Sequence, residues 1–281
     1  MRDANTQPGY SPAVVEATLQ ALLANATASR RAALVGVSGL QGSGKSTFTA
    51  QLAAAARARG IDVEVMSLDD FYLGRRERGL LACSVHPLLA TRGVPGTHDI
   101  GLLQRTLDAL GTASARRPAR VPRFDKGRDT RIAPSRWRSV IRAPALIVLE
   151  GWCIGVPAQS PAALRRPLNA LERVEDTDAR WRTWVNARLA DDYARLWRRL
   201  DRLVLLQAPS FALVSRWRDQ QEQALRRRGA PHAMDAAALA RFLMHYERLS
   251  RQALRELPAR ADLRLLLDDD RRVRRLVGAE N

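Results

Sequence analysis

Cysteine, lysine and aromatic residues are all scarce in this chain. The two cysteines, Cys83 and Cys153, stand far apart and without metal-ligand spacing, so neither a disulfide framework nor a cysteine-based zinc site is indicated, and a reducing compartment fits. No run approaches the roughly 18 consecutive apolar residues that a membrane span requires. The opening "MRDANTQPGYSPAV" carries an acidic residue and lacks the apolar stretch of an export signal. The expectation is a cytoplasmic protein without a membrane partner. Lysine occurs only at positions 45 and 126, so the formal charge of +17 comes almost wholly from arginine. The arginines are spread along the chain beside heavy use of Ala and Leu, which reads as compositional drift and a solvated surface and argues against a nucleic-acid partner. Repeats and low-complexity linkers are missing too. A chain of 281 residues with 46% hydrophobic content is therefore expected to form one domain over residues 1–281 around a single core.

What is present alternates between strand and helix. "SPAVVEATLQALLANA" has apolar residues at helical spacing after a Ser-Pro start near Ser11. "AALVGV" (Ala32 to Val37) is a continuous apolar run, too short for a helix, that suits a buried parallel strand. "KSTFTAQLAAAARAR" then predicts a helix from Lys45 to Arg59 that Gly60 can close, and "IDVEVMSL" predicts a second strand. Further on, "IGLLQRTLDAL" reads as a helix, "ALIVLEGW" (Ala145 to Trp152) as a buried strand, "NARLADDYARLWRRLD" as a helix and "RLVLLQAP" as a strand. Two helices, "SFALVSRWRDQQEQALRRRG" and "MDAAALARFLMHYERLSRQALREL", and a final strand, "DLRLLLD", complete the order. Such alternation predicts an α/β fold with a mostly parallel sheet, helices on both faces and a helical lid or insert. Segments at about 71–99 and 116–140 lack clear periodicity and read as long loops, which are often functional; an arginine-rich lid is expected at about 210–232.

The most specific signal is "GLQGSGKST". Gly39, Gly44, Lys45 and Ser46 satisfy the full phosphate-loop spacing between a predicted strand and a predicted helix. At average residue frequencies such a match arises by chance roughly once in a hundred chains of this length. The loop residues Gly39, Gln41, Gly42, Ser43, Gly44, Lys45, Ser46 and Thr47 are then the nucleotide-binding set of a P-loop NTPase fold. Backbone N–H groups and the helix N-terminus hold the phosphates, Lys45 reaches the β- and γ-phosphates, and Ser46 ligates magnesium. Asp69 and Asp70 end the second strand where a parallel sheet presents its ligand-facing edge, so one of them can accept a hydroxyl proton or hold magnesium. Glu150 ends another strand in the position where such folds place a metal-associated acid. Arg216 and Arg218 near the start of the arginine-rich helix, with Arg226, Arg227 and Arg228 near its end, are candidates to neutralise charge developing on a transferred phosphoryl group.

Together these motifs resemble the uridine kinase and pantothenate kinase branch of P-loop kinases. Within that branch, "SLDDFYL", "ATRGVPGTHD", "VPRFDKGRDTR", "VLEGWCIG", "VNARLADDY" and "SRWRDQQEQALRRRG" look most like the D-glycerate 3-kinase family of plants and fungi, over roughly Val35 to Asp268. The resemblance implies ATP, Mg2+ and transfer of the γ-phosphoryl group to a hydroxyl of D-glycerate, a small-molecule acid. It implies Asp69 as base with Asp70 and Tyr72 in support, and Arg92, His98, Asp99, Arg123, Asp125 and Lys126 as residues of the acceptor site. A carboxylate substrate with two hydroxyls needs a cation and polar partners, and these residues supply both. Aromatic residues are only 5% of the chain, fewer than stacking on a nucleobase would call for. Two alternatives stay open at this point: a kinase of pantothenate or a nucleoside, and a nucleotide-dependent binding or assembly factor. An Asn-Lys-x-Asp guanine-reading tetrad is missing, which disfavours a GTPase switch.

Overall fold

The apolar runs dictate the centre of the molecule. The structure, a computed structural model, describes residues 9–24, 31–227 and 234–278. Helix α1 (Pro12–Ala24) precedes β1 (Ala33–Gly39), α2 (Lys45–Ala58), β2 (Val63–Ser67), α3 (Arg75–Ser84) and α4 (Ile100–Gly111). The short strands β3 (Ala119–Val121), β4 (Phe124–Asp125), β5 (Thr130–Arg131) and β6 (Arg138–Val140) follow, and then β7 (Leu146–Gly151). Three helices, α5 (Pro161–Leu164), α6 (Ala170–Glu175) and α7 (Arg180–Arg188), lead into a π-helical turn at Leu189–Tyr193 and into α8 (Ala194–Trp197). The chain ends with β8 (Arg202–Gln207), α9 (Ala212–Arg227), α10 (Ala236–Glu256), β9 (Leu263–Leu267) and β10 (Val273–Val277).

Among the described residues the main sheet runs in the order β10-β9-β8-β1-β7-β2. Strands β9, β8, β1, β7 and β2 are parallel, and β10 adds an antiparallel edge. Every residue of β7 is buried, as is β1 from Leu34 onward, which is why both read as uninterrupted apolar runs rather than alternating ones. On β7, Glu150 lies in register with Val37 of β1 on one side and Ser67 of β2 on the other. Three strand ends therefore meet at one edge.

Several segments differ from the sequence expectation. The 71–99 stretch contains α3 and a turn of 3-10 helix at Pro87–Ala90. The first turn of α3 is closed by the Glu77 carboxylate, which accepts from the Gly74 N–H at 2.6 Å. Arg78, 2% exposed, donates to the carbonyls of Leu73 and Ala90. These bonds replace the apolar stripe that "RRERGLLACS" lacks, so periodicity could not reveal the helix. The 116–140 stretch carries two antiparallel ribbons, β3 with β6 and β4 with β5, whose strands are too short to express a period of two. The helix expected over "NARLADDYARLWRRLD" is interrupted by the π-helical turn, and β10 was not anticipated at all. The end of the expected lid, including Arg228, lies outside the described residues, as does the end of the first helix beyond Ala24. No helix among the described residues is long and apolar enough to cross a membrane.

The insert between β7 and β8 is anchored by charge. Asp176, 1% exposed, caps α7 by accepting from Trp181 N at 2.6 Å, and it pairs with Arg182 at 2.7 Å. Arg182 is 3% exposed. Removing one partner of such a pair strands a buried charge, so Asp176→Ala should cost about 3–5 kcal/mol. Urea unfolding checks this, and a loss well under about 1 kcal/mol would show the pair to be dispensable.

Candidate active site

The phosphate loop grows directly out of β1. Gly42 and Gly44 take the left-handed conformation, at φ 81° and 89°. A Cβ on Gly42 would stand 2.8 Å from the Cβ of Trp217 on α9. Helix α2 begins at Lys45 immediately after Gly44, so its first-turn N–H groups, which have no intrahelical acceptors, lie at the loop. The Lys45 ammonium donates back to the carbonyls of Gly39 at 2.8 Å and Leu40 at 3.1 Å. Burial pulls its pKa down, opposed by the Glu150 and Asp69 carboxylates. The Ser43 hydroxyl and both atoms of the Gln41 amide are buried without partners among the described residues. The donors among them, the Ser43 hydroxyl and the Gln41 amide nitrogen, are what an anionic ligand would satisfy. The Ser46 hydroxyl donates to Glu150 Oε1 at 2.8 Å, so these two hard oxygen donors meet beside the loop.

Asp69 lies just past the end of β2. Its two oxygens are both engaged: Tyr72 OH donates to Oδ1 at 2.7 Å, and the Lys126 ammonium reaches Oδ2 at 2.6 Å. Burial works against ionisation of this carboxyl, but the charge and hydrogen bond of Lys126 and the bond from Tyr72 outweigh it and hold Asp69 well below the usual carboxylate range. Asp70 turns the other way and accepts from Phe124 N at 3.2 Å, pinning β4 to the strand end; burial raises its pKa. Tyr72 stacks on His98 with centroids 4.7 Å apart and meets Phe124 edge-on at 5.3 Å. Arg92 lies 5.7 Å from the Phe124 ring centroid and pairs with Asp129, which also holds Arg78.

Other expected residues serve the scaffold. Asp99 caps α4, accepting from Leu102 N at 2.8 Å, and lies 3.4 Å from Arg131. Asp125 accepts from the N–H groups of Gly127 and Arg128, closing the turn between β4 and β5. In both cases one carboxylate oxygen, Oδ1, accepts from backbone N–H groups, which gives the residue a structural role. Arg123 is exposed and acts on Asp70 through its charge. Arg216 pairs with Asp270 at 3.0 Å, at the β9–β10 turn rather than at the phosphate loop. Arg218 bonds the buried Glu222 at 2.6 Å.

The sequence reading missed several contacts. Tyr10 donates its hydroxyl to the Ser43 carbonyl at 2.7 Å and exchanges two backbone bonds with the Gln51 amide, clasping the loop from behind. Tyr246 donates to the Arg92 carbonyl at 2.8 Å. Asp129 and Tyr193 lie within "VPRFDKGRDTR" and "VNARLADDY", where no local pattern marks their partners. The signal that could have been followed was the glycine demand of "RGVPG": a Cβ on Gly93 would collide with Tyr246.

This strand order with this loop is the architecture of the P-loop kinases. Residues 10–72 match the family of the methylmalonyl Co-A mutase-associated GTPase MeaB, a span that reaches only from the Tyr10 clasp to the end of the first strand–loop–helix–strand unit. The chain is 34% identical over 227 residues to the uncharacterized kinase mug58 of Schizosaccharomyces pombe, which spans 76% of this chain and 78% of that protein. It is 29% identical over 255 residues to the chloroplastic D-glycerate 3-kinase of Arabidopsis thaliana, covering 85% of this chain and 53% of the plant protein. The solved D-glycerate 3-kinase of Cryptococcus neoformans superposes with a TM-score of 0.77 at 24% identity, over 95% of this chain and 99% of that one. The chain belongs to the P-loop kinase family that includes mug58, and it is an ATP-dependent phosphotransferase.

Burial lowers His98 to about 4, against the pull of the Asp69 carboxylate. An unfolded histidine binds its proton near 6.5. Between these values the unfolded chain holds a proton that the folded one does not, so the His98 contribution weakens the fold as pH drops through that window. Relative to wild type, His98→Gln should therefore gain stability steadily from pH 6.5 to about 4. Urea titrations at four pH values check this, and a constant difference would mean that His98 is not held neutral.

Proposed function

We propose that this protein transfers the γ-phosphoryl group of ATP to D-glycerate, giving 3-phosphoglycerate and ADP. The observation that carries the reading is the placement of an ionised carboxylate, Asp69, between Tyr72 and Lys126 at the same sheet edge as Lys45. An acceptor hydroxyl placed there gives its proton to Asp69 as its oxygen bonds to the γ-phosphorus and the bond to the β-phosphate bridging oxygen breaks. The reaction needs little covalent help from the protein, so positioning and charge stabilisation dominate. Lys45 supplies charge at the β- and γ-phosphates. Ser46 and Glu150, meeting at 2.8 Å, are the hard oxygen donors that suit Mg2+, an ion that keeps several waters and takes one or two protein ligands beside the phosphates; when bound, it neutralises developing phosphate charge.

The acceptor side matches a small acid. Lys126 and Arg92 offer cations for a carboxylate, and Tyr72, His98 and Phe124 pack on one another beside them. Similarity to the Arabidopsis D-glycerate 3-kinase along 85% of the chain supports this substrate over pantothenate or a nucleoside. Arg216 and Arg218, on α9 beside Gly42, would supply lid charge once nucleotide is bound.

Two measurements test the reading. Magnesium-dependent ADP release should be stimulated by D-glycerate and not by L-glycerate, pantothenate or uridine; stimulation by another acceptor would reassign the substrate, and none at all would refute the kinase–acceptor reading. Asp69→Asn should lower turnover by about 10²–10⁴-fold, the range of a lost general base, with ATP affinity nearly unchanged. Normal turnover in that variant would remove Asp69 from the base role.

A further inference from the structure

The "GTHD" loop is bonded to the π-helical turn nearly a hundred residues away. Tyr193, fully buried at the end of that turn, accepts from the Gly96 N–H at 3.0 Å, and its hydroxyl lies 2.6 Å from His98 Nδ1. Gly96 permits the approach: at φ 94° its Cβ would stand 2.2 Å from Trp184. Single π-helical turns are rare and concentrate at functional sites.

The hydrogen-bond inventory decides the tautomer. A phenol has one proton to give, and this one already accepts from Gly96. If Tyr193 donates to Nδ1, every polar atom at that contact is satisfied, and the ring proton of neutral His98 sits on Nε2. If Nδ1 carried the proton, the buried Tyr193 O–H would have no acceptor among the described residues and Nε2 would be left as an unpaired acceptor, two orphaned groups instead of one. Nε2 has no partner among the described residues although His98 is 4% exposed. The ring stacks on Tyr72, the residue that donates to Asp69, and Asp69 is the charged group that acts on it. This unsatisfied nitrogen thus lies beside Tyr72 and Asp69, on the acceptor side of the proposed site.

The geometry points to Tyr193 as a positioning residue that locks His98 as a neutral Nε2–H donor, a fixed hydrogen bond for an oxygen of the acceptor molecule. This rests on the glycerate reading for the choice of acceptor, and not for the tautomer. A donor that never changes charge favours carboxylate or hydroxyl oxygens, whose lone pairs it can meet, and disfavours an ammonium at the same place.

The test begins with wild-type protein labelled with ¹⁵N-histidine. At neutral pH the His98 resonances, assigned by their loss in His98→Phe, should show Nδ1 without a proton and Nε2 with one. D-Glycerate should shift the Nε2–H resonance. In Tyr193→Phe the two tautomers should mix, and KM for D-glycerate should rise about tenfold, the scale of one lost net hydrogen bond, while KM for ATP stays within about twofold. His98→Phe should raise the acceptor KM at least as much, and it retains the ring stacking if Tyr193→Phe fails to fold. A proton on Nδ1, or a doubly protonated ring, overturns the inference even if glycerate is turned over normally. Correct nitrogens with unchanged acceptor KM in His98→Phe overturn the binding role. Absence of turnover with any acceptor, with correct nitrogens and no shift on adding D-glycerate, refutes the glycerate reading and the binding role while leaving the tautomer assignment standing.

Discussion

The lateral register of β7 between β1 and β2 is the constraint on which the site depends. Because Glu150 pairs across to Val37 and to Ser67, the loop that leaves β1, the acid that ends β7 and the aspartates that follow β2 emerge at one edge. A slip of one residue in β7 would turn Glu150 to the opposite face of the sheet and break its bond with Ser46. The burial of β1 and β7 on both faces makes such a slip expensive, since every displaced apolar side chain would lose the neighbours it is packed against. Chemistry at the edge is thus held by packing in the middle.

Beyond the sheet, the acceptor side is held by bonds of long sequence separation rather than by regular structure. Asp129 gathers Arg78 and Arg92, Asp70 fixes Phe124, Tyr246 holds the Arg92 backbone and Tyr193 holds Gly96 and His98. Each partner comes from a different segment. Low exposure strengthens these bonds and penalises any left unmade, so loops without periodicity are nonetheless ordered. Lys126, itself exposed, and buried Tyr72 together keep Asp69 ionised against its own burial, the state that the proposed proton transfer from a hydroxyl requires.

The arginines divide along the same line. Many are committed to carboxylates of the scaffold, as Arg182 is to Asp176 and Arg248 to Glu172, whereas Arg216 pairs with Asp270 at the exposed surface. Their number is what made composition a poor guide to function. Position near a helix start drew attention to Arg216, yet the turn between β9 and β10, which no local pattern announced, supplies its partner.

The residues of "GLQGSGKST", the apolar runs of β1 and β7 and the carboxylates at their ends were legible in the sequence, because a buried parallel strand, a left-handed glycine turn and a helix start each leave a local signature of composition and spacing. With the motifs "LDDFY" and "PRFDK" they determined the fold class and the phosphate chemistry. The tertiary structure alone decided that Asp99 and Asp125 serve turns and caps, that Arg92 answers to Asp129, that a π-helical turn carries Tyr193 to His98 and that Tyr10 clasps the loop. The physical reason is distance along the chain: bonds between residues such as Tyr193 and His98, 95 positions apart, impose no periodicity on either segment, and so exist only once the sheet has brought the segments together.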